Sequence, residues 1–164
     1  MLDRKQAMDK EMIGFILADG CLTIVKGKAR RKYKDKVYHY LLYTPKVNVT
    51  QRVDGEAILD AFKKRFGGYI SLNASIARDR PTQKPIKYWV VSNAKICGEI
   101  AKMIYECDLP SPKKAVAKIL YDYCAWKLPM GSRRMTEEEK VKAEAFWQAI
   151  RAANTFKSMP SKVV

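Results

Sequence analysis

An apolar run, MIGFILADG from Met12 to Gly20, ends on a carboxylate, Asp19, followed at once by glycine. A carboxylate at that point is a hard oxygen ligand. Mg²⁺ takes few such ligands and fills its remaining positions with water and phosphate oxygens. Water held on that ion can attack a phosphodiester, and paired ions can stabilise both the attacking and the leaving oxygen. The bland alternative is a turn, which Asp-Gly favours in any case. The rest of the chain narrows the chemistry. It has one histidine, His39, which disfavours reactions built on paired imidazoles. Cys21, Cys97, Cys107 and Cys124 are widely spaced and form no C-x-x-C, which fits free thiols in a reducing, intracellular compartment better than zinc or disulfides.

Gly14 and Ala18 lie four residues apart, on one face of the same helix. Small residues at this spacing let two helices approach closely. If a second copy packs there, with Met12, Ile13, Gly14, Leu17 and Ala18 at the contact, two Asp19 carboxylates and two helix C-termini converge. Such a concentration of negative charge calls for divalent cations.

Composition points to a polyanionic partner. The 164 residues carry 32 Lys+Arg against 17 Asp+Glu, a net charge of +15. This excess opposes compaction by self-repulsion and is most readily understood beside nucleic acid. Nearly half the residues are apolar, enough for one domain with a real core. No apolar run approaches a membrane span, and the opening MLDRKQAMDKEM is too polar for a secretion signal. A ribosome-associated or general nucleic-acid binder would share this charge.

The elements that must position Asp19 follow from periodicity. A helix is predicted from about Lys5 to Ala18, then a strand to about Lys26 and a basic loop, GKARRKYKDK, over Gly27 to Lys36. Val37 to Gln51 reads as a long β segment, with Pro45 marking an edge, bulge or break. Ile58, Leu59, Phe62 and Phe66 have helical spacing, and Gly67-Gly68 stops that helix. YISLNASIARDR and IKYWVVSN read as a hairpin around Pro81 and Pro85. Asn93 caps a helix to about Cys107, Ser111-Pro112 opens another to about Lys127, and TEEE starts the last. Two strand pairs with helices on a single face make an α+β layer arrangement.

If Leu22, Ile24, Ile70 and Leu72 face the helices, the opposite sheet face is polar and bordered by cations. From Lys26 to Lys36, seven of eleven residues are Lys or Arg. An antiparallel ribbon of this kind fits a DNA major groove, with strands reading bases and loops holding phosphates. The expected strand positions are Thr23, Val25, Tyr40, Leu42, Thr44, Asn48, Ser71, Asn73, Lys87 and Trp89, with Ser75 at the end of the third strand. The flanking cations are Lys26, Lys28, Arg30, Arg31, Lys32, Lys46, Arg78 and Arg80. A one-residue slip in register would invert any of the strand assignments. Tyr121, Tyr123 and Trp126 are better explained by packing than by base stacking.

MIGFILADG resembles the LAGLIDADG motif of homing endonucleases and related intron maturases, its second acidic position falling on Asp19 and its first replaced by Leu17. VNVTQRVDGEAILDAFKKRFGGYI, from Val47 to Ile70, resembles the strand-to-helix unit of single-motif members, SPKKAVAKIL resembles a segment that brings a lysine to the scissile phosphate, and FWQAIRAAN resembles the closing helix. The resemblance implies an αββαββα core with a saddle-shaped antiparallel sheet, plus C-terminal helices. The whole of 1–164 would be one domain, with the core at about 5–127, a helix at about 136–154 and a basic tail. It further implies that Asp19, with Gly20, binds Mg²⁺, that Gln51 orders water, and that Lys113 or Lys114 meets the phosphate. A further basic residue found in some members aligns near Gly55 and is missing, or is replaced by Arg52. One motif copy implies a homodimer that cuts both strands of double-stranded DNA at a near-palindromic site and leaves 3′ overhangs. The alternatives are an intron RNA-splicing maturase and a non-catalytic DNA-binding regulator of the same fold.

Overall fold

Apolar–polar alternation beginning at Leu22 runs much further than the basic composition after Lys26 suggests. The computed structural model describes residues 4–72 and 85–155; the expected sites Asn73, Ser75, Arg78 and Arg80 lie outside them, as does Pro81. Helix α1, Arg4–Asp19, passes directly into strand β1, Gly20–Tyr33, and strand β2 returns as Lys36–Arg52. The two strands pair without a break from Gly20 opposite Val49 to Tyr33 opposite Lys36. GKARRKYKDK is therefore the end of a hairpin and not a loop. Its cations stand across from strand-forming residues, Arg30 from His39, Arg31 from Tyr38 and Lys32 from Val37. Lys34-Asp35 makes the turn, with Lys34 at φ +51°.

Helix α2, Glu56–Phe66, strand β3, Tyr69–Leu72, and strand β4, Ile86–Val91, follow. The sheet order is β1-β2-β4-β3, antiparallel throughout. Because β4 pairs only with Val47–Arg52, the first half of β2 is an open edge on that side. Pro45 stands in this half, where a missing N–H removes no ladder bond. Gly67 and Gly68, at φ +73° and +81°, turn the chain out of α2; a Cβ on Gly68 would lie 2.2 Å from the Val90 carbonyl.

Helices α3, Ala94–Glu106, α4, Lys113–Lys127, and α5, Glu137–Thr155, complete the chain. The Asn93 side chain accepts from the Lys95 and Ile96 amides at 2.9 and 3.2 Å, as an N-cap should. Thr136 and Glu139 form a reciprocal capping box at 3.2 and 2.8 Å. All the helices contribute to one core against one sheet face, where Leu22, Ile24, Val47, Val49 and Trp89 meet Ile16, Phe62, Ile100 and Leu120. This α+β layering agrees with the sequence reading. Tyr123 is fully buried, donates to the Tyr43 carbonyl at 2.6 Å and meets Phe146 edge to face, so it packs. Among the described residues, no helix is long and apolar enough to cross a membrane.

Candidate functional site

Gly20 forces the abrupt exit from α1. A Cβ there would lie 2.6 Å from the Ile16 carbonyl oxygen, so only glycine lets β1 leave at this angle. Asp19 is thereby held exposed at the helix end. Gln51, near the end of β2, reaches it across the sheet, Nε2 donating to Oδ2 at 3.0 Å. The amide thus fixes one carboxylate oxygen.

Lys113 and Lys114, equivalent from sequence, have different surroundings. Lys113 Nζ donates to the carbonyls of Ile16 at 2.9 Å, Ala18 at 3.2 Å and Gly20 at 2.7 Å. An ammonium has three protons, and these contacts use all of them. The charge also sits on the negative end of the α1 dipole. Burial pushes the Lys113 pKa down, opposed by the nearby Cys21 and Asp19. Lys114 instead donates to the Cys107 carbonyl at the end of α3. Lys113 belongs to the Asp19 cluster and Lys114 does not.

The Asp19 carboxylate is a hard oxygen ligand that fits Mg²⁺, while the Ile16, Ala18 and Gly20 carbonyls beside it accept from Lys113. Among the described residues no group of three or more His, Cys, Asp or Glu could hold a metal ion. Asp19 is the carboxylate that this cluster presents. Gly20, expected as a second ligand through its carbonyl, presents that oxygen to Lys113.

The opposite face of α1 has two parts. Met12 and Ile13 are 5% and 8% exposed and lie in the chain's own core, which corrects their expected place in a dimer contact. Leu17 is half-buried against the same core. Ala18 is exposed, and a Cβ on Gly14 would meet nothing within 4 Å. The small-residue pair thus faces open space.

On the sheet, the face away from the helices carries Thr23 and Val25 of β1, Thr44, Lys46 and Asn48 of β2 and Ser71 of β3, as alternation predicts. Tyr40, Leu42 and Arg31 continue that face toward the hairpin turn. Strand β4 departs by one residue. Trp89 is fully buried, 4.9 Å from the Phe62 ring, with Nε1 donating to the Gly67 carbonyl at 2.7 Å. Lys87 shares the Trp89 side and pairs with Glu56. Neither is on the outer face; Tyr88, paired with Ser71 and Thr50, is. Aromatic residues at 88 and 89 made the two registers equivalent in sequence, and burial of the larger ring beneath α2 decides between them.

Lys26 also turns inward, bridging to Glu144 of α5 at 2.8 Å and standing 4.7 Å from the Trp147 ring. Lys28, Arg30 and Lys32 alternate onto its side of the hairpin, exposed beyond the helices. Sequence reasoning missed Arg134. It lies 5.8 and 6.0 Å over the Tyr38 and Tyr40 rings at the open edge of β2, in a cavity of about 740 Å³ that Arg31, Lys127 and Lys140 also line. The only signal was the doubled arginine of GSRRM between two helices.

No protein-family model matches the chain, and no curated protein matches its sequence. Solved structures do. The homing endonuclease I-CvuI, in complex with DNA, is similar with TM-score 0.61 and 16% identity over 97% of this chain and 87% of that one. The homing endonuclease I-TnaI gives 0.59 and 15% over 90% and 95%. The DNA-bound meganuclease I-SmaMI gives 0.63 and 14% over 85% of this chain but 43% of its own length. The LAGLIDADG homing endonuclease I-GzeII, in complex with its DNA target, gives 0.55 and 20% over 93% and 44%. The fold is that of the LAGLIDADG homing endonucleases. Within a LAGLIDADG fold, MIGFILADG occupies α1 and its exit, with Asp19 at the helix end where the resemblance put the acidic position.

Proposed function

We propose that this chain is one subunit of a homodimeric, site-specific DNA endonuclease. The observation that carries the reading is the convergence of Asp19, Gln51 and Lys113 at the end of α1. They meet there from the motif helix, the central strand and α4. A packed core element has no need of an exposed carboxylate, an amide fixed on it and a half-buried ammonium in one place.

Asp19 would hold Mg²⁺, which when bound supplies Lewis acidity and a more acidic water. Gln51 fixes the carboxylate and orients solvent beside it. Lys113 offsets the negative end of α1 and lowers the cost of gathering further negative charge there. The open Gly14–Ala18 face supports pairing of two motif helices about a two-fold axis, which brings a second Asp19 to the first. Each outer sheet face then reads one half-site through Thr23, Val25, Thr44, Asn48, Ser71 and Tyr88. Two half-sites separated by helical turns make a near-palindromic target of roughly 20 bp, and cuts placed on both strands near its centre leave 3′ overhangs.

The test is cleavage of a randomised duplex-DNA library with and without Mg²⁺, comparing the wild type with Asp19→Asn. Discrete near-palindromic sites lost in EDTA and in the variant are expected. Tight, salt-sensitive binding by both proteins without cutting would replace the nuclease with a DNA-binding regulator or an intron-RNA maturase.

A further inference from the structure

Hydrolysis of a phosphodiester builds negative charge on the phosphate oxygens, and a cation must meet it. Lys113 is poorly placed to do so, because the Ile16, Ala18 and Gly20 carbonyls take all three of its protons. Arg52 follows Gln51 in β2 and therefore lies on the outer face, away from the amide that holds Asp19. Lys87 is different. It is the residue directly opposite Gln51 in the β2–β4 ladder and shares its face, with Cα atoms roughly 5 Å apart. Its ammonium is held by Glu56, in the first turn of α2. Gly55 joins the two places: a Cβ there would lie 3.0 Å from Gln51 Oε1, so the residue before Glu56 touches the amide that holds Asp19.

We propose that Lys87 is the cation that meets the cleaved phosphate, its ammonium passing from Glu56 to a phosphate oxygen when duplex DNA occupies the site. Glu56 keeps a favourable place after losing Lys87, because a carboxylate in the first helical turn is stabilised by the helix N-terminus. Lys87 is about three-quarters buried and flanked by Leu72 on β3, so its stem is packed while Glu56 holds its ammonium. This role rests on the endonuclease reading and adds to it a residue outside the motif helix.

The experiment uses the duplex site recovered from the randomised library and compares the wild type, Asp19→Asn, Lys87→Met, Lys87→Arg and Glu56→Gln. Single-turnover cleavage is measured in Mg²⁺, and binding is measured in EDTA over a range of salt. Lys87→Met is expected to cut roughly a hundredfold more slowly and to reduce the salt slope of binding by about 1. Lys87→Arg should restore most of the rate, and Glu56→Gln should cut at least as fast as the wild type. Equal losses in Lys87→Met and Glu56→Gln would mean a structural ion pair and overturn the proposal. So would a Lys87→Met rate within about threefold of wild type. A wild type that cuts no duplex would overturn the endonuclease reading itself, whereas a cutting wild type beside an unimpaired Lys87→Met overturns this inference alone.

Discussion

Gly14→Leu separates the fold of one chain from the pairing of two. A Cβ on Gly14 meets nothing within 4 Å, so within the monomer the new side chain enters solvent. Replacing a mid-helix glycine by a good helix former should then stabilise the isolated chain by about 0.7 kcal/mol. In a dimer packed on the Gly14–Ala18 face the outcome reverses. Overfilling a close contact costs about 1–3 kcal/mol. Two-fold symmetry places the substitution twice in one interface, for about 2–6 kcal/mol in all. The dimer dissociation constant should rise between about 30-fold and 20,000-fold. Sedimentation across a concentration series measures that shift, and denaturant unfolding at concentrations where both proteins are monomeric measures the fold. A Gly14→Leu protein that dimerises as tightly as wild type would refute the pairing face. One that unfolds more readily as a monomer would refute the claim that this face is open.

Lys113→Met should abolish cleavage and also cost about 1.5–3 kcal/mol of stability, because a charged donor leaves the α1 carbonyls; Lys114→Met should leave the cleavage rate unchanged, measured on the same duplex. The carboxyl of Glu139 is held at about 2 by Arg133 and by the amide and side chain of Thr136. Its folded pKa lies below the ordinary value, so its contribution is complete above about pH 4.5 and is lost as pH falls toward 2. Acid titration followed by tryptophan fluorescence should report α5 loosening in that window in the wild type but not in Glu139→Gln. Trp89→Ala should destabilise by about 3–5 kcal/mol in denaturant titration, since it empties a fully buried site. Reassembling wild type with Asp19→Asn in equal amounts should leave about a quarter of the double-strand cleavage, as random pairing within a two-fold dimer requires; about three quarters of the activity would mean that one intact chain per dimer suffices.

How far the sequence could be read depended on the kind of residue. Helix ends were legible because they rest on local chemistry: the Asn93 cap, the Thr136–Glu139 box and the Gly67-Gly68 stop each satisfy backbone groups a few residues away. Asp19 and Gln51 were legible through the resemblance of MIGFILADG and VNVTQ to a known family, and the structure joins them by a hydrogen bond. The choice between Lys113 and Lys114 was not, since both begin the same helix and only their rotation about its axis separates them. The same limit applied in β4, where Trp89 and Tyr88 alternate faces and either register gives one aromatic residue inward. GKARRKYKDK misled because charge marks solvent exposure, and a hairpin end is exposed whether it is strand or loop. Arg134 was invisible because its partners, Tyr38 and Tyr40, are nearly a hundred residues earlier.

The site's economy explains why its parts are spread over the fold. The proposed site draws the Asp19 carboxylate, the Gln51 amide and two lysines from α1, β2, α4 and β4. A single copy therefore gathers too little negative charge to hold a divalent ion tightly, and Lys113 already neutralises much of what the α1 carbonyls offer. Bringing a second α1 alongside doubles the carboxylates without adding a residue, and it places them where the two sheets meet. In the proposed homodimer, metal affinity, dimerisation and DNA occupancy would be coupled through one helix face. Isothermal titration of Mg²⁺ separates this coupling from a site complete in each chain: the wild type should bind the ion more tightly with cognate duplex present than alone, and Gly14→Leu, as a monomer, should lose that gain while keeping Asp19 and Gln51 in place.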